Sequence, residues 1–478
     1  MRSVTLPALL VAASAVLVSG CAVGPDYAAP TPPKTGAFMG QAAVTARALA
    51  PAPVDTWWQG FNDPVLNRLV ERALAQNLDL AQAAARVTQA RAGLGAATAA
   101  LLPSASVQAQ GASVHASTQT PTGRLLAATP GFDRDGSLYE GNLVAGWELD
   151  VFGGTRRDRE AALARYDGAK AGAAAARLAV AAQTADTYML VRGLQERLAV
   201  ARRQVETQAR LVDTVQLQYD HGAAADLQLQ QAKGALAQTR ASIPVLEEGL
   251  EAALNAMDVI QGAQPGTYRA ELITAKAIPA APGLADAGGP VELLRRRPDL
   301  VVAEERLRAS NAEVGSALSQ YFPKFSLSGL VGTATTDRGT LFEGPAAQAQ
   351  GVLGLRWRLF DFGRVGAEVK AARGRKAEAL AAYQQAVLRA SEDVENAFVS
   401  LVKRESQERA LSDGEASLAE ARTASQVAYQ AGAVSLVEVL DADTRLQAVQ
   451  DARARARTEA ARAAIRSFQA LGGGWSAS

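Results

Sequence analysis

The chain repeats itself, and the repeat limits what it can fold into. "WELDVFGG" (147–154) and "WRLFDFGR" (357–364) match at an offset of 210. The same offset sets Tyr188 against Phe398, Tyr219 against Tyr429 and Gly222 against Gly432, with no gap. Upstream, "NLDL" (77–80) meets "RPDL" (297–300), and Leu102-Pro103 meets Phe322-Pro323, at an offset of 220. The ten-residue difference therefore falls between the proline and the tryptophan. Chance similarity between Ala-rich helices does not align Trp, Phe-Gly and Tyr-x-x-Gly landmarks at one spacing. Two copies of one supersecondary unit must bury their faces against each other or against further copies.

Each copy reads helix, strand, loop, strand, long helix, turn, helix. No proline lies between Thr155 and Ile243, or beyond Ala346. Val191, Leu198, Val205 and Val212 recur every seven residues in the first long helix, as do Leu380, Val387, Val394 and Leu401 in the second. This is a narrow coiled-coil seam. A helix from about 155 to 218 would be ~95 Å long at ~1.5 Å per residue. Aromatic residues make up only 5% of the chain, which suits elongated packing of small residues better than one compact core. Pro244, where the second copy has Ala454, is expected to kink or end the helix after the first turn.

The strand segments alternate. Leu143, Ala145, Trp147, Leu149 and Val151 lie on one face, with Asn142, Glu148 and Asp150 on the other. Leu353, Leu355, Trp357 and Leu359 oppose Arg356 and Arg358 in the same way, and two weaker strands are expected near 104–116 and 323–333. A soluble sheet with one buried face alternates similarly. No separate apolar helix face is available to cover these strands, so the apolar side is expected to meet lipid. A membrane-spanning sheet must close on itself. Four strands cannot, since even small barrels need about eight, so the chain must pool strands with copies of itself, and three copies give twelve.

Cys21 is the one cysteine of the chain, so it has no disulfide partner within it, and the two histidines, His115 and His221, stand alone. It follows a charged Arg2, an apolar run from Leu6 to Val18, and the small residues Ser19 and Gly20. That run is too short to span a bilayer and reads as an export signal. "LVSGC" resembles the bacterial lipobox, which implies cleavage after Gly20 and diacylglyceryl and N-acyl groups on Cys21 as the only attached group, with no cofactor or metal. Ala22 after the cysteine, by the same resemblance, favours the outer membrane. Residues 21–53, with Pro25, Pro30, Pro32, Pro33, Pro51 and Pro53, read as a lipidated extended tether. Charge is balanced, 49 basic against 48 acidic residues, which gives no argument for nucleic acid. A nucleotide-binding Gly-x-x-x-x-Gly-Lys, a His/Cys cluster and a Gly-x-Ser-x-Gly are all absent from the sequence, so no catalytic residue is assigned and an enzyme is not expected.

At this point the sequence resembles the TolC-like outer-membrane efflux factors, in particular the NodT/OprM-type lipoproteins. The motifs are "CAVGPDY", "WW" with "FNDPVLNRLVERAL", "RRRPDL", "YFPKFSL", "FGG" and "FGR", "AYQAG" with "VLDAD", and "LGGGW", spanning residues 21 to 475. The resemblance implies a mainly α-helical chain forming a homotrimer: a twelve-stranded outer-membrane β-barrel continued by a periplasmic α-helical barrel. It implies a passive exit duct for drugs, toxic compounds or metal ions. The driving partners would be a periplasmic membrane-fusion adaptor and an inner-membrane proton-driven (RND-type) exporter. The chain then divides into a signal peptide (1–20), the tether (21–53), a first repeat (54–262), an equatorial segment (263–289), a second repeat (290–471) and a tail (472–478). The alternative is a lipid-anchored periplasmic adaptor or coiled-coil structural lipoprotein.

Two sites follow. "QYDHGAAADL" (218–227) and "AYQAGAVSL" (428–436) break the long helices at Gly222 and Gly432, and glycine suits a left-handed helix end. By resemblance these turns, with Tyr219 and Tyr429, form the periplasmic mouth where an adaptor docks. His221 is expected to face solvent. In "SLVEVLDAD" (435–443), Glu438 and Asp441 are three residues apart on one helix face, with Asp443 rotated away. Their first-repeat counterparts are Gln228 and Gln231. An isolated acidic pair is usually a solvated face. Here the resemblance places Glu438 and Asp441 in the ring that narrows the periplasmic end of the tunnel, where three copies would favour a bound cation.

Overall fold

A computed structural model of the chain describes residues 22–31, 36–284 and 290–475, so Cys21 and the leader lie outside the described residues. After a short helix α1 (Gln41–Thr45) come α2 (Pro64–Gln76), α3 (Leu78–Ala99), β1 (Ser104–His115), α4 (Pro121–Ala127) and β2 (Asp135–Leu149). The first long helix, α5 (Gly154–Asp220), and α6 (Asp226–Ile260) complete this copy. A single turn, α7 (Arg269–Leu272), leads to α8 (Pro290–Arg296), α9 (Pro298–Ser319), β3 (Lys324–Thr335) and β4 (Ala347–Arg356). The second copy ends with α10 (Arg364–Gln430) and α11 (Leu436–Ala470). The repeat is close to residue for residue in the helices. Helices α5 and α10 have 67 residues each, α6 and α11 have 35, and α3 and α9 have 22.

Local chemistry sets the boundaries. Asp63 accepts hydrogen bonds from the Val65 and Leu66 amides, and Pro64 occupies the first turn, so α2 begins there. Asp150 accepts from the Thr155 and Arg156 amides and stops β2 at the start of α5. Asp361 does the same for α10, and the amides of Val365 and Gly363 hold its carboxyl below the usual carboxylate range. These caps end the strands earlier than the alternation suggested: Val151, Trp357 and Leu359 lie beyond β2 and β4. Pro244 does not end α6, which continues to Ile260 with Leu236, Thr239 and Leu246 buried on either side of it.

The chain forms two compact units. The first, formed by the described residues of the segments 22–29, 88–168 and 304–382, contains one antiparallel sheet in the order β1-β2-β3-β4. All four helix junctions lie at one end of that sheet, and loops 116–134 and 336–346 close the other. The second unit, formed by the described residues of the segments 30–87, 169–303 and 383–475, is helical. Trp57 is fully buried there, stacked on Phe468 at 5.4 Å and edge-on to Trp58 at 5.7 Å. The predicted seam is its core: Val191, Leu194 and Leu198 share a cluster with Leu401 of the second copy. The "LGGGW" end is built into it as well. The Gly474 amide donates to Val54 O at 2.9 Å, and Trp475 Nε1 donates to Arg296 O at 2.9 Å.

The stretch read as an extended tether is packed in its second half. Phe38 meets Phe398 edge-on at 6.0 Å, the Met39 and Gly40 amides donate to Glu395, and Arg47 pairs with Glu405 at 2.6 Å. Composition hid these three anchors among alanines and prolines.

Candidate functional site

Residues opposite one another in an antiparallel sheet share a face, so the register sorts the sheet into two surfaces. One carries the rows Val107–Leu143–Val331–Ala349 and Ala105–Ala145–Gly329–Gly351, then Trp147–Leu327–Leu353 and Leu149–Phe325–Leu355. Those rows hold no charged side chain, and Val107, Val331 and Leu353 are 79%, 64% and 71% exposed. An exposed apolar surface of this extent marks a binding or membrane face.

The opposite surface carries Gln108–Asn142–Gly332–Gln348 in one row, with Ser106, Gln350 and Glu148 nearby and Val114, Leu138, Val144, Leu330 and Val352 among its apolar members. Gln348 Nε2 donates to Asn142 Oδ1 at 2.8 Å across Gly332. A Cβ on Gly332 would lie 2.3 Å from that oxygen, so the glycine makes room for the bond. Lys324 pairs with Glu148 at 2.9 Å at the junction end.

Two tryptophans mark that end. Trp147 Nε1 donates to Leu101 O at 2.9 Å and Trp357 Nε1 to Tyr321 O at 3.0 Å, the same bond in both copies. Indoles in this position, with an apolar body and a bonded N–H, are the residues that sit at a membrane–water boundary. Among the described residues β1 and β4 each pair on one side only, which leaves two edges open.

The turns of the second unit share the same backbone hydrogen bonds around their glycines. Gly222 and Gly432 have φ of +71° and +74°. The Gly222 amide donates to Tyr219 O and Ala223 N to Gln218 O, and Gly432 N to Tyr429 O and Ala433 N to Ala428 O repeat the pattern. Both are helix ends of the Schellman kind, with glycine where φ must be positive. His221 is exposed, as expected. Tyr219 is 41% exposed, whereas Tyr429 is half-buried and donates to Gln218 Oε1 at 2.8 Å, which ties the two turns together. Burial pushes the Tyr429 hydroxyl up. Val215, Leu229, Ala232 and Leu436 form the apolar cluster beneath.

Glu438 and Asp441 are both exposed. Glu438 Oε2 accepts from its own Ser435 amide at 2.5 Å, and Gln228 Oε1 accepts from Ala225 N at 3.0 Å in the first copy. Glu438 is thus the reciprocal half of a capping box. The signal was present in the sequence as Ser435-x-x-Glu438. Asp441 pairs with Arg445 one turn on, at 2.8 Å. Asp443 is the acid that sequence reasoning passed over. It is buried, bonded to Arg422 Nε at 2.9 Å through Oδ1, while Oδ2 is buried without a hydrogen-bond partner.

The family model for outer membrane efflux protein matches residues 69–263 and again 289–473, one match per copy. The chain belongs to that family. The pyoverdine export outer membrane protein OpmQ of Pseudomonas putida is 31% identical over 453 residues, covering 94% of each chain. The probable outer membrane lipoprotein SilC of Salmonella typhimurium is 29% identical over 487 residues, covering 98% of each. The solved outer-membrane channel OprN superposes with a TM-score of 0.85 at 31% identity, over 95% of this chain and all of that one. The family member described here is therefore an outer-membrane efflux channel, and its relatives are channel proteins rather than enzymes.

Proposed function

We propose that this chain is the exit duct of a tripartite efflux system, working as a homotrimer. The carrying observation is the four-stranded sheet with an exposed apolar face, a polar face and two open edges. Three such sheets close into one twelve-stranded barrel with the apolar rows toward lipid and the Gln108–Asn142–Gln348 row toward the lumen. The chain carries no energy source, so a periplasmic membrane-fusion adaptor and an inner-membrane proton-driven exporter supply direction. The adaptor docks at the turns around Tyr219, Gly222, Tyr429 and Gly432. Acyl groups on Cys21 anchor the mature chain, in keeping with the name of its SilC relative.

Glu438 and Asp441 narrow the periplasmic mouth as an acidic ring. Arg445 offsets one of these charges, so each chain contributes one net negative charge there. Glu438→Gln tests the charge alone, because Gln228 makes the same cap in the first copy.

Purified acylated protein is expected to run as a heat-modifiable trimer and to conduct in discrete steps across a planar bilayer. The Glu438→Gln, Asp441→Asn double variant is expected to lose cation selectivity and cation block. A monomer that never conducts would overturn the trimeric-duct reading. A conducting double variant with unchanged selectivity would reduce the acidic pair to surface charge.

A further inference from the structure

Residues Ala22 to Tyr27 form no helix or strand, yet they are held at almost every position. The Val23 amide donates to Phe152 O at 3.0 Å. Arg157, on the first turn of α5, donates through Nε to Val23 O at 3.3 Å and through Nη2 to Gly24 O at 3.2 Å and Asp26 Oδ1 at 2.8 Å. Its Nη1 donates to Glu160 at 2.8 Å. The Arg157 side chain is only 7% exposed. Burial opposes its charge, but the hydrogen bonds to Asp26 and Glu160 outweigh that and leave the guanidinium more firmly protonated than usual. From the other side, Asn311 Nδ2 on α9 donates to Pro25 O at 2.9 Å, and Tyr27 hydroxyl donates to Glu304 at 3.2 Å.

Two glycine contacts set the fit. Gly24 has φ +101°, and a Cβ there would lie 2.4 Å from Gly315 Cα. Gly153 has φ +77°, and a Cβ there would lie 2.7 Å from Ala22 Cα. One wall of this cradle comes from the first repeat and the other from the second, so the peptide bridges the two copies. A flexible leash would need none of these contacts.

Covalent geometry then bounds where an anchor can start. Ala22 Cα rests on Gly153, and Cys21 is the residue before it in the sequence, so an anchor on that cysteine is covalently tied to a chain held at the Gly153 turn. That turn joins β2 to α5 just beyond the apolar rows. Beside it the Phe152 and Phe322 rings stack at 4.7 Å, with Phe322 38% exposed. We propose that the cradle of Arg157, Asn311 and Gly315 is a positioning site for the lipid anchor, and that the Phe152–Phe322 pair is the seat its acyl chains meet on entering the bilayer against the barrel wall. This rests on the reading that Cys21 is acylated.

The test uses full-length protein from cells fed a photoactivatable fatty acid, irradiated in membranes and digested for mass spectrometry. The expected product joins the Cys21 peptide, through its acyl chain, to peptides containing Phe152 or Phe322. A cross-link to those peptides that carries a phospholipid mass instead would show that bulk lipid, not the anchor, occupies the seat, and would overturn the proposal. Gly24→Val crowds the peptide off the Gly315 backbone and removes no cradle side chain. It is expected to cut the joined product at least several-fold, as is Arg157→Ala with Asn311→Ala, while the trimer persists. Joined product undiminished in Gly24→Val, or wild-type cross-links scattered along the chain, would overturn it. An N-terminal peptide with an unmodified cysteine is a different observation. It would remove the acylation reading first, and this inference with it.

Discussion

Arg462 on α11 and Asp186 on α5 face each other through two parallel hydrogen bonds of 2.8 Å, Nε to Oδ1 and Nη2 to Oδ2. The bond joins the last helix of the second copy to the first long helix of the first. Hydrogen bonding to Asp186 holds the Arg462 guanidinium well above its usual pKa, against the burial that would lower it. Three more pairs continue the seam: Arg457–Glu196 at 2.8 Å, Arg197–Asp451 at 2.6 Å, and Arg453–Glu415 at 2.8 Å within the second copy. The two repeats are therefore stitched by forked, partly buried ion pairs as well as by the apolar seam. Arg462→Ala and Asp186→Ala are each expected to lower stability, with a coupling of about 1 kcal/mol or more between them. A double-mutant cycle on the thermal midpoint of the detergent-extracted protein measures it, and strictly additive effects would show the pair to be idle.

Asp443 presents a sharper case. Its carboxylate is buried and, among the described residues, Arg422 is its one cationic partner, so removing the arginine leaves an uncompensated interior charge. Arg422→Met is expected to cost about 3 kcal/mol, and adding Asp443→Asn should restore much of that. Denaturant midpoints of the three proteins decide it. No rescue by the asparagine would mean that Arg422 acts through packing alone.

Tyr188 gives a pH signature. Its ring is fully buried and its hydroxyl donates to Asp63 at 2.5 Å; burial first, and then Asp63, push its pKa up to about 12. The unfolded chain releases that proton near pH 10, so above this the native state binds more protons and stability falls as pH rises. The contribution is complete below pH 10, and about 2–3 kcal/mol of it is lost on approaching pH 12. Tyr188→Phe should be less stable at neutral pH by about 1 kcal/mol and lack this part of the alkaline slope. Parallel slopes in the two proteins would contradict the assignment.

Gly222 and Gly432 separate backbone strain from crowding, because a Cβ at either position would meet nothing within 4 Å. Asparagine tolerates the left-handed region and β-branched residues do not. Gly432→Asn should keep export in a complemented deletion strain, and Gly432→Val should lose it with membrane insertion intact. Equal behaviour of the two would show that the turn's conformation is not what matters.

Much of this molecule was legible because its constraints are periodic. The heptad seam, the two-residue alternation of β1 to β4 and the glycine turns are local patterns, and they reappear in the structure, the strands ending short of Val151, Trp357 and Leu359. What escaped depends on partners far along the chain. "AVGPDY" is visible as a motif, but the sequence does not show that Arg157, 131 residues beyond Asp26, holds it in place. Asp443 was set aside as facing away from Glu438, and facing away is what buries it against Arg422. The choice at Glu438 lies between a solvated helix face and the gate that the resemblance implies, although Ser435-x-x-Glu438 also spells a helix cap.

The central claim is that open edges β1 and β4 pair between copies to close one ring. A set of double-cysteine variants, one cysteine scanned along 104–110 of β1 and one along 347–353 of β4, tests it by oxidation in membranes. Head-to-tail closure predicts that single variants stay unlinked, because neither edge meets its own copy. At registers that bring the two Cα atoms within ~4.4–6.8 Å, double variants should give covalent dimers and a closed covalent trimer, and nothing larger. Disulfide dimers from single variants, or no linked trimer at any register, would contradict it.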